Sequence, residues 1–537
     1  MGERPVRGAR YGPHVLATLL SSTLVGLDGR VIRVEVDVAP GLPGFAIVGL
    51  ADAALQEARE RVRGAIRNAG YVHPPRRITV NLAPADLRKA GASLDLAIAI
   101  GILLGSEQVR GASGRLAMIG ELSLGGEVRT VPGILPLAAA LARRGVRRVV
   151  VATDAVEEAR LAGGIEVIGV ATLREAADAV RARARRRPLA APPRIELAAL
   201  IAGDPDTMAD AEPADFANVP DLAEVRGQLE ARRALEIALA GGHGLLLGGP
   251  PGSGKTLIAR TIPRLLPPLD DRQALAATIV ASVAGEGPIR GLRRRAPVRS
   301  PHHTLSYAAM VGGGPRMSPG EVTLADHGVL FLDELPEFSR DVLEALRQPL
   351  EDGHVSIARV GRATRFPARF QLIAAMNPCP CGMAGDPDLP CVCPHGTPER
   401  YANRISGPLR DRIDLWITMP KVPPAALVSG DEPESSAIVA VRIAAARTVQ
   451  AERAGILNGR LSGRALRAAC ALSPAAARRA VELADLEALS GRGTERLMRV
   501  ARTIADLRGI RAVRPEELDE ASRFRSPASR LQAREAS

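Results

Sequence analysis

The sequence predicts an α/β protein: a phosphate-binding α/β domain, a second α/β domain before it and a helical domain after it. Three observations lead there. The first is Gly249-Pro-Pro-Gly-Ser-Gly254-Lys255-Thr256, a full match to the P-loop pattern, set between an apolar run and a helical stretch. The second is Gly328-Val-Leu-Phe-Leu-Asp333-Glu334, an apolar run closed by two carboxylates about 80 residues further on. The third is a change of periodicity. Residues 1–185 alternate short β-rich runs with helices, whereas residues 430–530 carry Ala, Leu, Arg and Glu at helical spacing. The boundaries that follow are 1–185 for the N-terminal domain, 186–214 for a linker, 215–425 for the P-loop domain and 430–530 for a small helical bundle.

Taken in order, the chain first shows Arg4, Arg7 and Arg10 ahead of an apolar run from Val15 to Leu27. That pairing has the look of a signal peptide, but no small-x-small cleavage site follows. The chain continues into Arg30-Val-Ile-Arg-Val-Glu-Val-Asp-Val38, which alternates as a strand does. Val15–Val38 therefore reads as a hairpin turned at Asp28-Gly29. Further strands are expected at Ile78–Leu82, Ala117–Gly120 and Val146–Ala152, and helices at Ala53–Asn68, Ser93–Leu104 and Pro136–Arg144. The cluster Arg181–Arg187 and the Pro- and Ala-rich stretch to about Pro213 read as a solvated linker. No apolar run approaches 18 residues, so no membrane span is expected. An ATP site would place the chain in the cytoplasm.

Composition narrows the partners. Apolar residues make up 46% of the 537 and aromatics 2%, so the core is expected to be Ala, Leu, Val and Ile. The formal net charge of +12 favours polyanions, nucleic acid or nucleotide, although an arginine-rich coding bias would give the same figure. The chain has three lysines against 68 arginines, and one of the three is Lys255. A compact ammonium on a flexible stem reaches the β- and γ-phosphates where a planar guanidinium does not fit.

The P-loop residues Gly249, Pro250, Pro251, Gly252, Ser253, Gly254, Lys255 and Thr256 are thus the expected ATP phosphate cradle. The run His243–Gly248 is read as a buried strand before them, and a helix N-terminus after them faces the phosphates. Asp333 is the expected Mg²⁺ residue with Thr256, and Glu334 the residue that polarises the attacking water. An apolar strand ending in acids is common, but its distance from a P-loop makes this one specific. A third buried strand, Phe370–Met376, ends in Asn377, whose amide suits orienting the lytic water. In Ser406-Gly-Pro-Leu-Arg410-Asp411-Arg412-Ile-Asp414-Leu, an arginine is placed to act as a finger on the γ-phosphate of an adjacent subunit. For Arg410 the preferred reading is surface salt bridging with Asp411 and Asp414.

These motifs, in this order, resemble the AAA+ ATPases, and more closely the magnesium-chelatase-like branch. Ser300-Pro-His-His-Thr-Leu-Ser306, Gly312-Gly-Gly314, Pro319-Gly-Glu321, Gly328–Glu334, Ser406–Leu415 and Val500–Leu507 together look like the ComM/YifB family, across almost the whole chain. The resemblance implies a hexamer in which Arg412 is the trans finger. It also implies that Arg492, in Ser490-Gly-Arg492, is the second sensor of the helical lid. Arg410 departs from the family, which usually carries an apolar residue there, and leaves the finger open between Arg410 and Arg412.

The N-terminal domain resembles the Lon-type proteases, a ribosomal S5 domain 2-like fold. The resemblance rests on Lys89-Ala-Gly-Ala-Ser93-Leu-Asp-Leu-Ala97, Gly120-Glu-Leu-Ser-Leu-Gly-Gly126 and Gly145-Val-Arg-Arg-Val-Val150. Ser93 matches the nucleophile of a Ser-Lys dyad. The helix position that would hold the lysine falls near Leu137, and Pro136–Arg144 contains no lysine. Arginine does not deprotonate to act as a base. The domain is therefore read as non-proteolytic.

Four of the five cysteines, Cys379, Cys381, Cys391 and Cys393, fall within 15 residues. Two close pairs across a Gly- and Pro-rich loop suit tetrahedral Zn²⁺ ligation. His395 is an alternative ligand, and packed thiols or a redox pair an alternative reading. Cys470, alone in a helical stretch, is expected in the core. His302 and His303 are read as ligands or phosphate contacts, in a loop that faces a pore or solvent.

The leading functional reading is an ATP-driven, hexameric DNA motor that grips the phosphate backbone without sequence preference. Few aromatics argue against base stacking as the main grip. The family resemblance implies branch migration or unwinding of recombination intermediates, including those of natural transformation. The alternatives are a magnesium-chelatase-type ATPase subunit acting with a partner protein, and an ATP-dependent protease, weakened by the missing lysine.

Overall fold

The computed structural model describes residues 16–50, 53–87, 89, 91–111, 116–184, 216, 218–314, 317–359, 362–386, 389–424 and 433–525. The expected linker 186–214 and the arginines ahead of Val15 lie outside the described residues. The chain divides into two compact units: Met1–Pro205 with Thr278–Leu292, and Asp206–Ala277 with Arg293–Ser537. Each is a mixed α/β structure with parallel strands.

In the first unit, β1 (Ala17–Val25) and β2 (Asp28–Ala39) form the expected hairpin, with Val25 opposite Asp28. The turn, however, is Gly26-Leu27 and not Asp28-Gly29. Gly26 supplies the left-handed residue, at φ 64°. Gly29 is a glycine for another reason: a Cβ there would lie 2.2 Å from the Pro136 carbonyl oxygen of the helix Ile134–Arg143. The remaining strands are β3 (Gly44–Val48), β4 (Arg77–Ala83), β5 (Leu116–Met118), the short pair β6 (Glu121–Leu122) and β7 (Val128–Arg129), β8 (Arg148–Ala152) and β9 (Glu166–Val170). The main sheet runs β3-β4-β2-β1-β5-β8-β9, antiparallel only where β2 meets β1 and β4. The helix Asp95–Gly105 is buried along its whole length. An all-round apolar sequence is what such a core helix requires.

The second unit holds β10 (Leu245–Gly248), β11 (Val298–Arg299), the ribbon β12 (Gly312–Gly313) and β13 (Ser318–Pro319), β14 (Val329–Leu332), the ribbon β15 (His354–Arg359) and β16 (Arg362–Pro367), β17 (Gln371–Met376) and β18 (Leu415–Thr418). Five of these form a wholly parallel sheet, β11-β14-β17-β10-β18. Parallel strands covered on both faces read as continuous apolar runs, and β14 and β17 are buried at every residue. Because the strands share one direction, their carboxyl ends, each followed by a loop, gather at one end of the sheet. Ligands of open α/β sheets bind there. The helices Ser436–Ala454, Gly463–Cys470, Pro474–Leu486, Gly491–Leu507 and Pro515–Arg523 share one apolar core with this sheet. Cys470 is buried in that core, as expected. Among the described residues no helix is long and apolar enough to cross a membrane.

Candidate nucleotide site

The P-loop leaves β10 and enters the helix Lys255–Arg260. Gly252 (φ 77°) and Gly254 (φ 91°) make the turn that other residues resist. Lys255 Nζ donates to the carbonyls of Gly249 and Pro250, both at 2.8 Å. Burial lowers its pKa, against the raising charges of Asp333 and Glu334. Thr256 Oγ1 donates to Asp333 Oδ2 at 2.7 Å, so two oxygens 77 residues apart in sequence meet where both were expected. A hydroxyl beside a carboxylate at a phosphate loop is the oxygen donor set that Mg²⁺ takes, and the residues present fit it.

Glu334 follows on the end of β14. Its backbone is left-handed (φ 52°), a strained conformation for a residue with a side chain. Its amide donates to Asp333 Oδ1 at 2.9 Å, and its Oε2 lies 3.2 Å from His303 Nδ1. His302 and His303 lie in a loop, as expected, with His302 exposed to solvent, and His303 also meets the carboxylate. The strand order explains this. β11 is the neighbour of β14, so the residues just past β11 run beside the acids. Asn377 follows β17 directly and lines a cavity with Gly249 and Pro250. The Gly249 amide bonds the Met376 carbonyl at 3.2 Å. The P-loop, Asp333, Glu334 and Asn377 therefore share one end of the sheet.

Arg412 is at the other end. It precedes β18, which runs parallel to β10 with Leu415 opposite Leu245. A Cβ on Gly244, at the start of β10, would lie 2.8 Å from the Arg412 carbonyl oxygen. Four residues of strand, about 13 Å, separate that point from the P-loop. The Arg412 guanidinium pairs with Glu351. Arg492 is exposed in the first turn of the helix Gly491–Leu507. On the same face one and two turns later, Arg496 pairs with Asp411 and Arg499 with Asp414, each at 3.2 Å. Arg492 thus belongs to the Arg412 end. Arg410 does not make the expected salt bridges. Its half-buried guanidinium donates to the carbonyls of Ile405 and Ala402 and to Asn403 Oδ1, because the short helix Gly407–Arg410 turns it back on the preceding segment.

A buried polar network was not visible in the sequence. Asp414 bonds His243 Nδ1 at 2.9 Å, and His243 Nε2 bonds Thr503 Oγ1 at 2.8 Å. Burial pushes the Asp414 carboxyl up. The His243 hydrogen bond and the nearby charges outweigh it and hold it below the usual range.

The four cysteine sulfurs lie within 4.8 Å of one another as free thiols, and His395 is not among the group. In the first unit, Ser93 is buried and donates its hydroxyl to the Ser22 carbonyl at 3.0 Å. Ser22 Oγ in turn donates to the Leu137 carbonyl at 3.2 Å. Leu137, not a lysine, therefore occupies that neighbourhood. The buried Lys89 ammonium goes to the Pro84 carbonyl.

Family profiles match most of this architecture. One described as magnesium chelatase, subunit ChlI, covers residues 221–427; subunit ChlI of Mg-chelatase covers 34–155; the ChlI C-terminal profile covers 433–525. With the P-loop and the acid-ended strand, they define the class: a magnesium-chelatase-like AAA+ ATPase. The competence protein ComM of Haemophilus influenzae is 40% identical over 465 residues, 85% of this chain and 87% of that protein. The uncharacterized protein YifB of Escherichia coli K12 is 41% identical over 465 residues, 85% and 86%. An uncharacterized protein of Mycobacterium tuberculosis is 44% identical over 446 residues, 82% and 83%. The chain belongs to the ComM/YifB family.

Proposed function

We propose that the chain is an ATP-hydrolysing, hexameric DNA motor of the cytoplasm that migrates branches or unwinds recombination intermediates, as in natural transformation. The observation that carries this reading is the split of the catalytic set across one sheet. An arginine about 13 Å of strand away from its own P-loop cannot serve its own nucleotide, but can serve a neighbour's. Gly249–Thr256 cradle the ATP phosphates, with the Lys255 ammonium on the β- and γ-phosphates. Glu334 accepts the proton side of the attacking water, and Asn377 orients that water. Arg412 and Arg492 of one subunit stabilise charge on the next subunit's γ-phosphate. Mg²⁺ held by Thr256 and Asp333 would supply charge neutralisation at the phosphates. We further propose Zn²⁺ at Cys379, Cys381, Cys391 and Cys393.

Three things support DNA as the partner: the net charge of +12, the relative named a competence protein, and the ribbon β15–β16. That ribbon carries Arg359, Arg362 and Arg365 in its sequence. The first unit is read as a non-proteolytic platform, since its Ser93 hydroxyl is tied to a carbonyl. The test is ATP turnover with and without forked and four-way DNA, together with resolution of a labelled four-way junction. Turnover should rise on DNA, and the junction should resolve only with ATP. If hydrolysis ignores every DNA form and the junction survives, the motor reading fails. The magnesium-chelatase-type ATPase, which the family profiles' descriptions favour, then leads.

A further inference from the structure

We propose that the cysteine lobe, closed on its metal, is a brace for the P-loop, so that Zn²⁺ occupancy sets how tightly the chain binds ATP. This rests on the zinc reading above and adds a regulatory role to it. The Sγ–Sγ distances are 3.3 Å for Cys379–Cys381, 3.7 Å for Cys379–Cys391 and 3.6 Å for Cys381–Cys391. A tetrahedron with Zn–S bonds of about 2.3 Å has edges of about 3.8 Å. The thiols therefore already stand close to the corners of a Zn²⁺ site, and soft sulfur ligands select such a cation. Without it, the four sulfurs are joined to one another by nothing stronger than S–H contacts.

The lobe is wedged between parts of the nucleotide site. Gly382, one residue past Cys381, sits against the P-loop. A Cβ on it would lie 2.5 Å from Pro251 Cδ, closer than real contacts allow. Cys379 follows Asn377 by two residues, so the same ligand that closes the lobe anchors the end of β17. On the far side, buried Asp386 pairs with Lys421 at 2.6 Å, just beyond β18. The next contact returns to the loop: Met419 N donates to the Gly248 carbonyl at 2.7 Å. The segment Gly248–Pro251 is thus held between the lobe and the end of β18. A lobe that opens takes away one wall of the phosphate cradle.

The experiment uses the full chain. Purified without chelator, it should carry about one zinc per chain by elemental analysis. Stripping the metal should weaken binding of a fluorescent ATP analogue about ten-fold, and added Zn²⁺ should restore it. By reciprocity, a non-hydrolysable ATP analogue should raise zinc affinity by the same factor in competition with a chelator. Gly382→Ala should keep its zinc and still lose nucleotide affinity. The pair Cys391→Ser and Cys393→Ser, away from the buried Cys379, should lose both. Absence of zinc from the purified chain overturns the zinc reading and the brace with it. Zinc present, with the stripped chain and Gly382→Ala both binding the analogue as the parent does, overturns the brace alone.

Discussion

The Glu334 carboxylate, proposed above to polarise the attacking water, is held by a left-handed residue at the end of β14 with His303 against it. Replacing the carboxylate by an amide of the same shape leaves the P-loop and the Thr256–Asp333 contact in place. Glu334→Gln should therefore bind ATP as the parent does, yet turn it over about 10²–10⁴-fold more slowly, the usual worth of a positioned base. Steady-state turnover beside analogue binding checks this; normal turnover would remove Glu334 from the mechanism. Asp414 carries a pH dependence. Its folded pKa lies below the unfolded value, so its stabilising contribution is complete above the ordinary carboxylate range, near pH 4, and is lost as pH falls through the lower folded value. Acid below about pH 4 should loosen the second unit first around His243 and Thr503. Asp414→Asn should cost about 3 kcal/mol at neutral pH, because it leaves Arg499 and His243 without their carboxylate. Thermal melts of both forms across pH 3–7 would show it as a flatter acid limb in the variant.

Among the elements, the parallel sheet places the P-loop after β10 and the acids after β14 at one end of its strands, with Arg412 at the other. Arg412→Ala should keep nucleotide affinity and lose hydrolysis, while Lys255→Ala should lose both. Mixing the two should restore some turnover, since each variant supplies the half that the other lacks. No rescue at any ratio in confirmed mixed rings would refute a trans finger. The strands β10, β14 and β17 were legible in sequence because parallel, doubly buried strands are apolar and end at polar loops. The P-loop glycines were legible because their backbone conformation excludes other residues. What was hidden depends on neighbours distant in the chain. His303 meets Glu334 only because β11 pairs with β14. His243 and Thr503 are 260 positions apart. Gly29 looked like a turn residue and is a contact for a helix still to come. Arg410 beside two aspartates suggested ion pairs, whereas a four-residue helix directs it elsewhere.

For the molecule as a whole, 71 basic residues against 59 acidic ones set the terms of any encounter with nucleic acid. A backbone grip made by arginines releases counterions. The DNA-stimulated turnover proposed above should therefore fade steeply with salt, at about −0.9 in log–log slope per phosphate engaged on duplex, and with little regard to sequence. Repeating the DNA assays across salt concentrations measures how many phosphates are held. The proposed division of the centre between the two ends of β10 also predicts a response to dilution. In the ring proposed above, a lone chain would own two halves that belong to different catalytic centres, and so no complete centre. Turnover per chain should then climb with concentration until rings close. An inactive copy does more harm than a missing one. In the proposed ring it would take a seat, spoil the one centre to which its altered half belongs, and lower turnover among functional copies.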